Sequence, residues 1–149
     1  MNLLRVVVRD GQVFGKRTKD MKINGGCHCG KVTYEADVDA EKVFICHCTD
    51  CQSLSGGPYR ANVPVSAELF KLKGQLASYV KTADSGNKRI QAFCADCGSA
   101  IYSTSAENPA VYVLRLGAVK QRAELTPRAQ LFAASAMPWA MDIRGIART

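Results

Sequence analysis

The cysteines of this chain are gathered into three short clusters, and this grouping constrains the fold more than any other feature of the sequence. There are seven cysteines, an odd number, and the apolar run at residues 3–8 is too short and too interrupted for a secretory signal or a membrane span. Disulfides are therefore not expected. We predict reduced thiols that act as metal ligands in a cytoplasmic protein.

The composition is that of an ordinary globular domain. The chain has 149 residues, of which 47% are hydrophobic and 22% charged, which is enough to build one hydrophobic core. Its formal net charge is +7, but the Lys and Arg residues are scattered and are not interleaved with aromatic residues. A nucleic-acid partner is therefore disfavoured, and no membrane partner is expected. We separate residues 1–20, an N-terminal extension or leading strand, from a zinc domain at residues 21–149.

Alternation of apolar and polar residues predicts a mainly β protein of several short antiparallel strands. Val32, Tyr34 and Ala36 alternate with polar neighbours, as expected for a half-buried strand. Further predicted strands are separated by turns rich in Gly, Pro and Asn, and they lie at 42–45, 59–63, 76–81, 89–93, 100–104 and 111–116. Helical structure is expected only as a turn at 66–70 and over 129–136.

The first and third clusters have the spacing of a closed zinc site. Cys27 and Cys29 are two residues apart, so an extended backbone turns both sulfurs to one side and the intervening His28 to the other. Cys94 and Cys97 have knuckle spacing, and a glycine follows each pair. Four cysteine sulfurs complete a tetrahedral site. We therefore predict a structural zinc on Cys27, Cys29, Cys94 and Cys97.

The second cluster leaves one coordination position open. Cys46, Cys48 and Cys51 offer three sulfurs, and three protein ligands with one exchangeable ligand are typical of a catalytic zinc. This division into four and three uses every cysteine of the chain. Two alternatives stay open: His28 or His47 closes the second site, or one cysteine is a buried thiol without a metal.

Other residues near the clusters have two interpretations each. Arg60 could bind a substrate carboxylate or lie on the surface with its stem packed on the sheet. Asp50 could accept a proton or be an ordinary loop acid. We expect His47 to be satisfied by a backbone carbonyl rather than to catalyse. Residues 53–57 are expected in a solvated turn, and Trp139 in packing at the core or its rim.

Three ordered strings, Gly25–Val32, Cys46–Gly56 and Phe93–Ser99, resemble the glutathione-dependent formaldehyde-activating enzyme family, which also includes centromere protein V. The resemblance extends from Met21 to about Ile146. It implies a β-tent fold with one structural and one catalytic zinc. The structural ligands it implies are Cys27, Cys29, Cys94 and Cys97, and the catalytic ones are Cys46, Cys48 and Cys51.

The resemblance also implies carbon–sulfur lyase activity, in which the thiol of glutathione adds reversibly to formaldehyde to give S-hydroxymethylglutathione. Zinc lowers the pKa of a nearby thiol, so the nucleophilic thiolate exists at neutral pH. Because three thiolates already donate charge to the metal, we expect activation of sulfur rather than strong polarisation of a carbonyl. The implied cofactors are two zinc ions, and the implied partner is a small thiol such as glutathione. Loss of the second zinc to a competing thiol is an alternative outcome for a site of three thiolates. The alternative is a noncatalytic zinc-binding interaction module of the same fold.

Overall fold

The computed structural model describes residues 20–149, which form two β-sheets and one short α-helix. The strands are β1 (Asp20–Gly26), β2 (Thr33–Asp39), β3 (Phe44–Cys46), β4 (Arg60–Ser66), β5 (Phe70–Lys73), β6 (Ala77–Thr82), β7 (Lys88–Phe93), β8 (Ala100–Ser105), β9 (Val111–Arg115) and β10 (Ala129–Leu131). The helix is α1 (Thr49–Ser55), and 3-10 turns lie at Ala40–Lys42, Ala67–Leu69, Leu116–Ala118, Arg122–Glu124, Ala133–Ser135 and Pro138–Met141. The extension predicted at residues 1–20 lies outside the described residues, except for Asp20, which begins β1.

The strands form a three-stranded sheet, in the order β1-β2-β5, and a seven-stranded sheet, in the order β10-β3-β4-β9-β8-β7-β6. Neighbouring strands are antiparallel except for β10 and β3, which are parallel. The prediction of a mainly β protein is confirmed, and the predicted strands correspond to β2, β3, β4, β6, β7, β8 and β9. Strands β1 and β5 were not predicted, because β1 is weakly alternating and β5 directly follows the turn expected at residues 66–70.

The prediction of helical structure at residues 129–136 is wrong. Its first three residues form β10, which pairs with β3 in register from Ala129 with Phe44 to Leu131 with Cys46. Phe132 then adopts a left-handed backbone conformation, with φ of 53°, and a 3-10 turn follows. Pairing with the edge of an existing sheet outweighs the weak helix propensity of these residues.

The hydrophobic core lies between the two sheets. Strand β2 of the small sheet buries Tyr34 and Val38, and the large sheet buries Val63 and Leu114 against them. Aromatic rings join the sheets, with Phe70 of β5 packing on both Tyr102 and Tyr112 at centroid distances of 5.7 and 5.1 Å. Burial of an aliphatic side chain such as Val63 or Leu114 stabilises the fold by about 1.5–3 kcal/mol.

The opposite face of the large sheet carries polar side chains. Strand register places Arg60 opposite Cys46, Asn62 opposite Arg115, and Arg89 opposite Lys81. Because side chains alternate between faces, these residues lie on the face turned away from the core, which we call the basic face. It is defined by Arg60, Asn62, Lys81, Arg89, Gln91 and Arg115.

The large sheet is curved around the basic face. Arg60 on β4 donates a hydrogen bond of 3.2 Å to the side chain of Gln91 on β7, although β9 and β8 lie between these strands. In a flat sheet the two strands would be about 14 Å apart, and side chains that stand perpendicular to the sheet would not bridge that separation. The curvature therefore makes the basic face concave.

Gly25 of β1 lies in close contact with its neighbouring strand β2 and with the 3-10 turn at Leu116–Ala118. A Cβ atom added there would overlap the backbone oxygen of Ala118 and the hydroxyl group of Tyr34. We expect Gly25→Ala to lower the free energy of unfolding by about 1–3 kcal/mol, as overpacked sites do. Gly117→Ala is the matched control, because nothing lies within 4 Å of the atom it adds. Urea denaturation of both variants checks this prediction, and equal midpoints would contradict it.

Candidate metal centres

The four cysteines predicted for the closed site come together at the ends of two strands. Cys27 follows β1 and Cys94 follows β7, and each begins a turn that carries the second cysteine of its pair. The Sγ atoms of Cys27, Cys29, Cys94 and Cys97 all lie within 4.8 Å of one another. Two of the separations are 3.5 Å, from Cys27 to Cys29, and 3.7 Å, from Cys29 to Cys94. Sulfurs bound to a tetrahedral zinc at about 2.3 Å lie about 3.8 Å apart, so this donor set fits zinc.

The turns at this group have the geometry that the trailing glycines predicted. Gly30 and Gly98 have φ angles of 81° and 74°, in the left-handed region that favours glycine. The Gly98 amide donates to the Cys94 carbonyl at 2.9 Å, and the Val32 amide donates to Cys27 Sγ at 3.2 Å. The backbone therefore fixes the sulfurs in position and partly offsets their charge as thiolates.

Ser99 supports one of the four sulfurs directly. Its Oγ accepts a hydrogen bond from the His28 amide at 3.0 Å and lies 3.2 Å from Cys97 Sγ. The Ser99 hydroxyl, together with the backbone amides of Ser99 and Cys29, lowers the pKa of Cys97 to about 5. Cys97 is therefore a thiolate at neutral pH. The structure does not place the imidazole of His28 in the group of four.

The three cysteines of the second cluster lie at the end of a strand and in the first turn of a helix. Cys46 ends β3, Cys48 is the N-cap of α1 and Cys51 lies in its first turn. Cys48 Sγ accepts a hydrogen bond from the Cys51 amide at 3.3 Å and lies 3.5 Å from Cys46 Sγ. Gly56 caps the other end of α1 with a φ of 65°. These caps hold a helix that is too short to show an apolar period in the sequence.

The sulfurs of the second cluster interact strongly. A hydrogen bond between the side chains of Cys46 and Cys51 lowers the pKa of Cys46 to about 5. The same bond raises the pKa of Cys51 well above its ordinary value. A divalent cation would replace the shared proton and allow all three to be thiolates. The spacing and chemistry of this set therefore fit a zinc ion held by three protein sulfurs.

Among residues 20–149, no histidine or carboxylate joins this cluster as a fourth ligand. His47 is 1% exposed, and its Nε2 lies 2.8 Å from the side-chain oxygen of Gln130. The partner of His47 is thus a side chain and not the backbone carbonyl that we expected. Nδ1 has no hydrogen-bond partner among the described residues, and the ring packs edge-on against Tyr59.

The remaining predicted residues have varied positions. Asp50 is exposed and forms an ion pair with Lys81 of β6, which ties α1 to the edge of the large sheet. Ser53 and Ser55 belong to α1 rather than to a turn. Trp139 is 57% exposed, so the prediction that it packs at the core or its rim is wrong.

Arg60 does not lie on the surface, because only 6% of it is exposed. Its guanidinium and that of Arg115, which is 8% exposed, both donate to Gln91 Oε1, at 3.2 and 2.8 Å. Arg115 also donates to the side chain of Asn62. Burial lowers the pKa of Arg115 to about 9, so it stays cationic at neutral pH. Sequence reasoning missed Arg115 and Gln91, and only the register of β4, β9 and β7 could have found them.

A family model described as glutathione-dependent formaldehyde-activating enzyme matches residues 22–135. The chain belongs to this family. The match confirms the resemblance, although it ends before Trp139, which the resemblance had included. A crystal structure of a Rhodobacter sphaeroides protein has the same fold, with a TM-score of 0.57 and 18% sequence identity over 72% of this chain and 98% of that chain.

No helix within residues 20–149 is long and apolar enough to cross a bilayer.

Proposed function

We propose that the chain is a zinc-dependent carbon–sulfur lyase that joins a small thiol, such as glutathione, to formaldehyde and reverses the reaction. The observation that carries the proposal is the three-cysteine cluster, which has no fourth ligand among residues 20–149. Membership of the formaldehyde-activating family supports the choice of substrates. The seven free thiols support a reducing, cytoplasmic setting.

Each of the two cysteine groups would hold one zinc ion. Cys27, Cys29, Cys94 and Cys97 would hold a structural zinc, and Cys46, Cys48 and Cys51 would hold the catalytic one. Zinc bound at the second set supplies the acidity that keeps a substrate thiol ionised at neutral pH. The substrate thiolate attacks the carbon of formaldehyde and forms the carbon–sulfur bond. The electron pair of the carbonyl bond moves to oxygen, which then takes a proton.

Arg60 and Arg115 give the cluster a cationic surrounding. Burial lowers the pKa of Arg60, and the negative charges of the three cysteines partly oppose this effect. This attraction stabilises ionised sulfur, both of the cysteines and of a substrate. The ion pair of Asp50 with Lys81 holds α1, which carries Cys48 and Cys51, against the sheet. Asp50 is thereby assigned a positioning role rather than that of a proton acceptor.

NMR exchange spectroscopy of glutathione and formaldehyde tests the proposal. We expect the zinc-loaded protein to accelerate exchange between free glutathione and its hydroxymethyl adduct by at least about 100-fold, a low threshold beside the accelerations of about 10⁶-fold or more that are typical of enzymes. A control without protein gives the rate in buffer. Exchange no faster than in buffer, with two zinc ions bound, would favour the noncatalytic zinc-binding module.

A further inference from the structure

Two buried arginines of the basic face have no acidic partner. Arg60 and Arg115 are both almost fully buried, yet neither forms an ion pair with a carboxylate of residues 20–149. A buried charge without a partner is destabilising. Two buried guanidinium groups close together would be stabilised by an anion that accepts hydrogen bonds from both.

The hydrogen bonds of these arginines leave donors available. Within the described chain, Arg60 donates one side-chain hydrogen bond, to Gln91. Arg115 donates two, to Gln91 and Asn62. A guanidinium has five N–H donors in a planar fork. The amide oxygens of Gln91 and Asn62 fix the positions of the two guanidinium groups. Because an amide is neutral, they do not neutralise the positive charge of either arginine.

The position of the arginines links them to the three-cysteine cluster. Arg60 is the register partner of Cys46 on the neighbouring strand, and the charges of Cys46 and Cys51 act on both Arg60 and Arg115. Three thiolates with one divalent zinc carry a net charge of about −1. A bound substrate thiolate makes this charge about −2, which equals the charge of the two arginines in size, and the half-buried Arg89 on the same face leaves an excess of one positive charge. A second anionic group on the substrate would balance this excess.

We infer that Arg60 and Arg115 bind a carboxylate group of the thiol substrate, so that the site selects small thiols that carry a carboxylate over neutral ones. This inference rests on the proposed function, since it places the substrate sulfur at the open position of the three-cysteine cluster. The forks of the arginines match the two oxygens of a carboxylate. The substrate would then be held at both ends, by its sulfur and by its carboxylate.

Calorimetric titration of the zinc-loaded protein with two matched thiols tests the inference. The thiols are 3-mercaptopropionate and its amide, which differ mainly in charge. We expect the wild type to bind the carboxylate about 10- to 100-fold more tightly, the range for a charged hydrogen-bonded pair. Addition of salt should reduce this preference.

Variants assign the preference to the two arginines. Arg60→Gln and Arg115→Gln should each lower the ratio of the two affinities toward one, because binding of 3-mercaptopropionate weakens more than binding of the amide. Arg144→Gln removes the same charge from an exposed side chain and should keep the ratio. Comparing ratios between proteins cancels the difference in acidity of the two thiols. The wild-type ratio and its salt dependence remain informative if Arg115→Gln does not fold.

Two results would overturn the inference in different ways. A ratio near one in the wild type, or an unchanged ratio in both arginine variants, would mean that the arginines only balance the cysteine thiolates, and the lyase proposal would stand. Failure of both thiols to bind zinc-loaded wild type would overturn the lyase proposal as well.

Discussion

Cys94→Ala is expected to leave the protein unfolded or insoluble. Cys94 is 1% exposed, and its sulfur meets that of Cys29, 65 residues earlier in the chain. Binding of zinc to four thiolates contributes roughly 10–16 kcal/mol in small metal-dependent domains. A typical domain is stable by only about 5–15 kcal/mol. Loss of one ligand therefore removes an interaction as large as the whole stability of the fold.

Circular dichroism and the soluble yield after expression measure this effect. Cys51→Ala is the matched control, because it removes the same side chain from the other cluster. We expect the control to stay soluble with a cooperative thermal transition. A soluble Cys94→Ala protein with the melting temperature of the wild type would contradict the structural assignment of the four-cysteine group.

Cys48→Ser is expected to abolish catalysis while the protein stays folded. Cys48 caps α1 by accepting a hydrogen bond from the Cys51 amide. Serine is a good N-cap residue, so the substitution preserves the cap and removes only the thiolate. With two sulfurs left, the second set should lose its zinc. The rate of adduct exchange should fall to the rate in buffer, a loss of at least about 100-fold, which corresponds to roughly 3 kcal/mol of transition-state stabilisation.

Metal analysis and thermal denaturation check the two parts of this prediction. The zinc content should fall from two ions per chain to one, and the melting temperature should change by only a few degrees. Cys48→Ala provides a comparison, since it also loses the cap and should be less stable than Cys48→Ser by about 1 kcal/mol. A Cys48→Ser protein that keeps two zinc ions or full activity would contradict the catalytic assignment.

The grouping of the cysteines could be predicted because it depends on local spacing. Cys27 and Cys29 turn to one side of an extended backbone, and Gly98 allows the tight turn after Cys97. These features depend on a few consecutive residues, so they can be predicted without knowledge of tertiary contacts. The same holds for strands such as β2, whose alternation reflects one buried and one exposed face.

Arg60 could be named from the sequence as a candidate for binding a carboxylate, but the rest of the anion site could not be predicted, because it depends on the pairing of distant strands. Arg115 meets Asn62 across 53 positions and Gln91 across 24, and nothing local marks these residues as neighbours. The helix α1 was missed for another reason, namely that seven residues held by two caps show no helical period. The strand β10 was missed because its parallel pairing with β3 determines its conformation.

Anomalous scattering at the zinc absorption edge, from crystals of the zinc-loaded protein, tests the central claim most directly. The account predicts two peaks per chain: one surrounded by Cys27, Cys29, Cys94 and Cys97, and one bound by Cys46, Cys48 and Cys51 with a fourth ligand that is not part of the protein. A single peak, or a side chain of the protein in the fourth position of the second site, would contradict it.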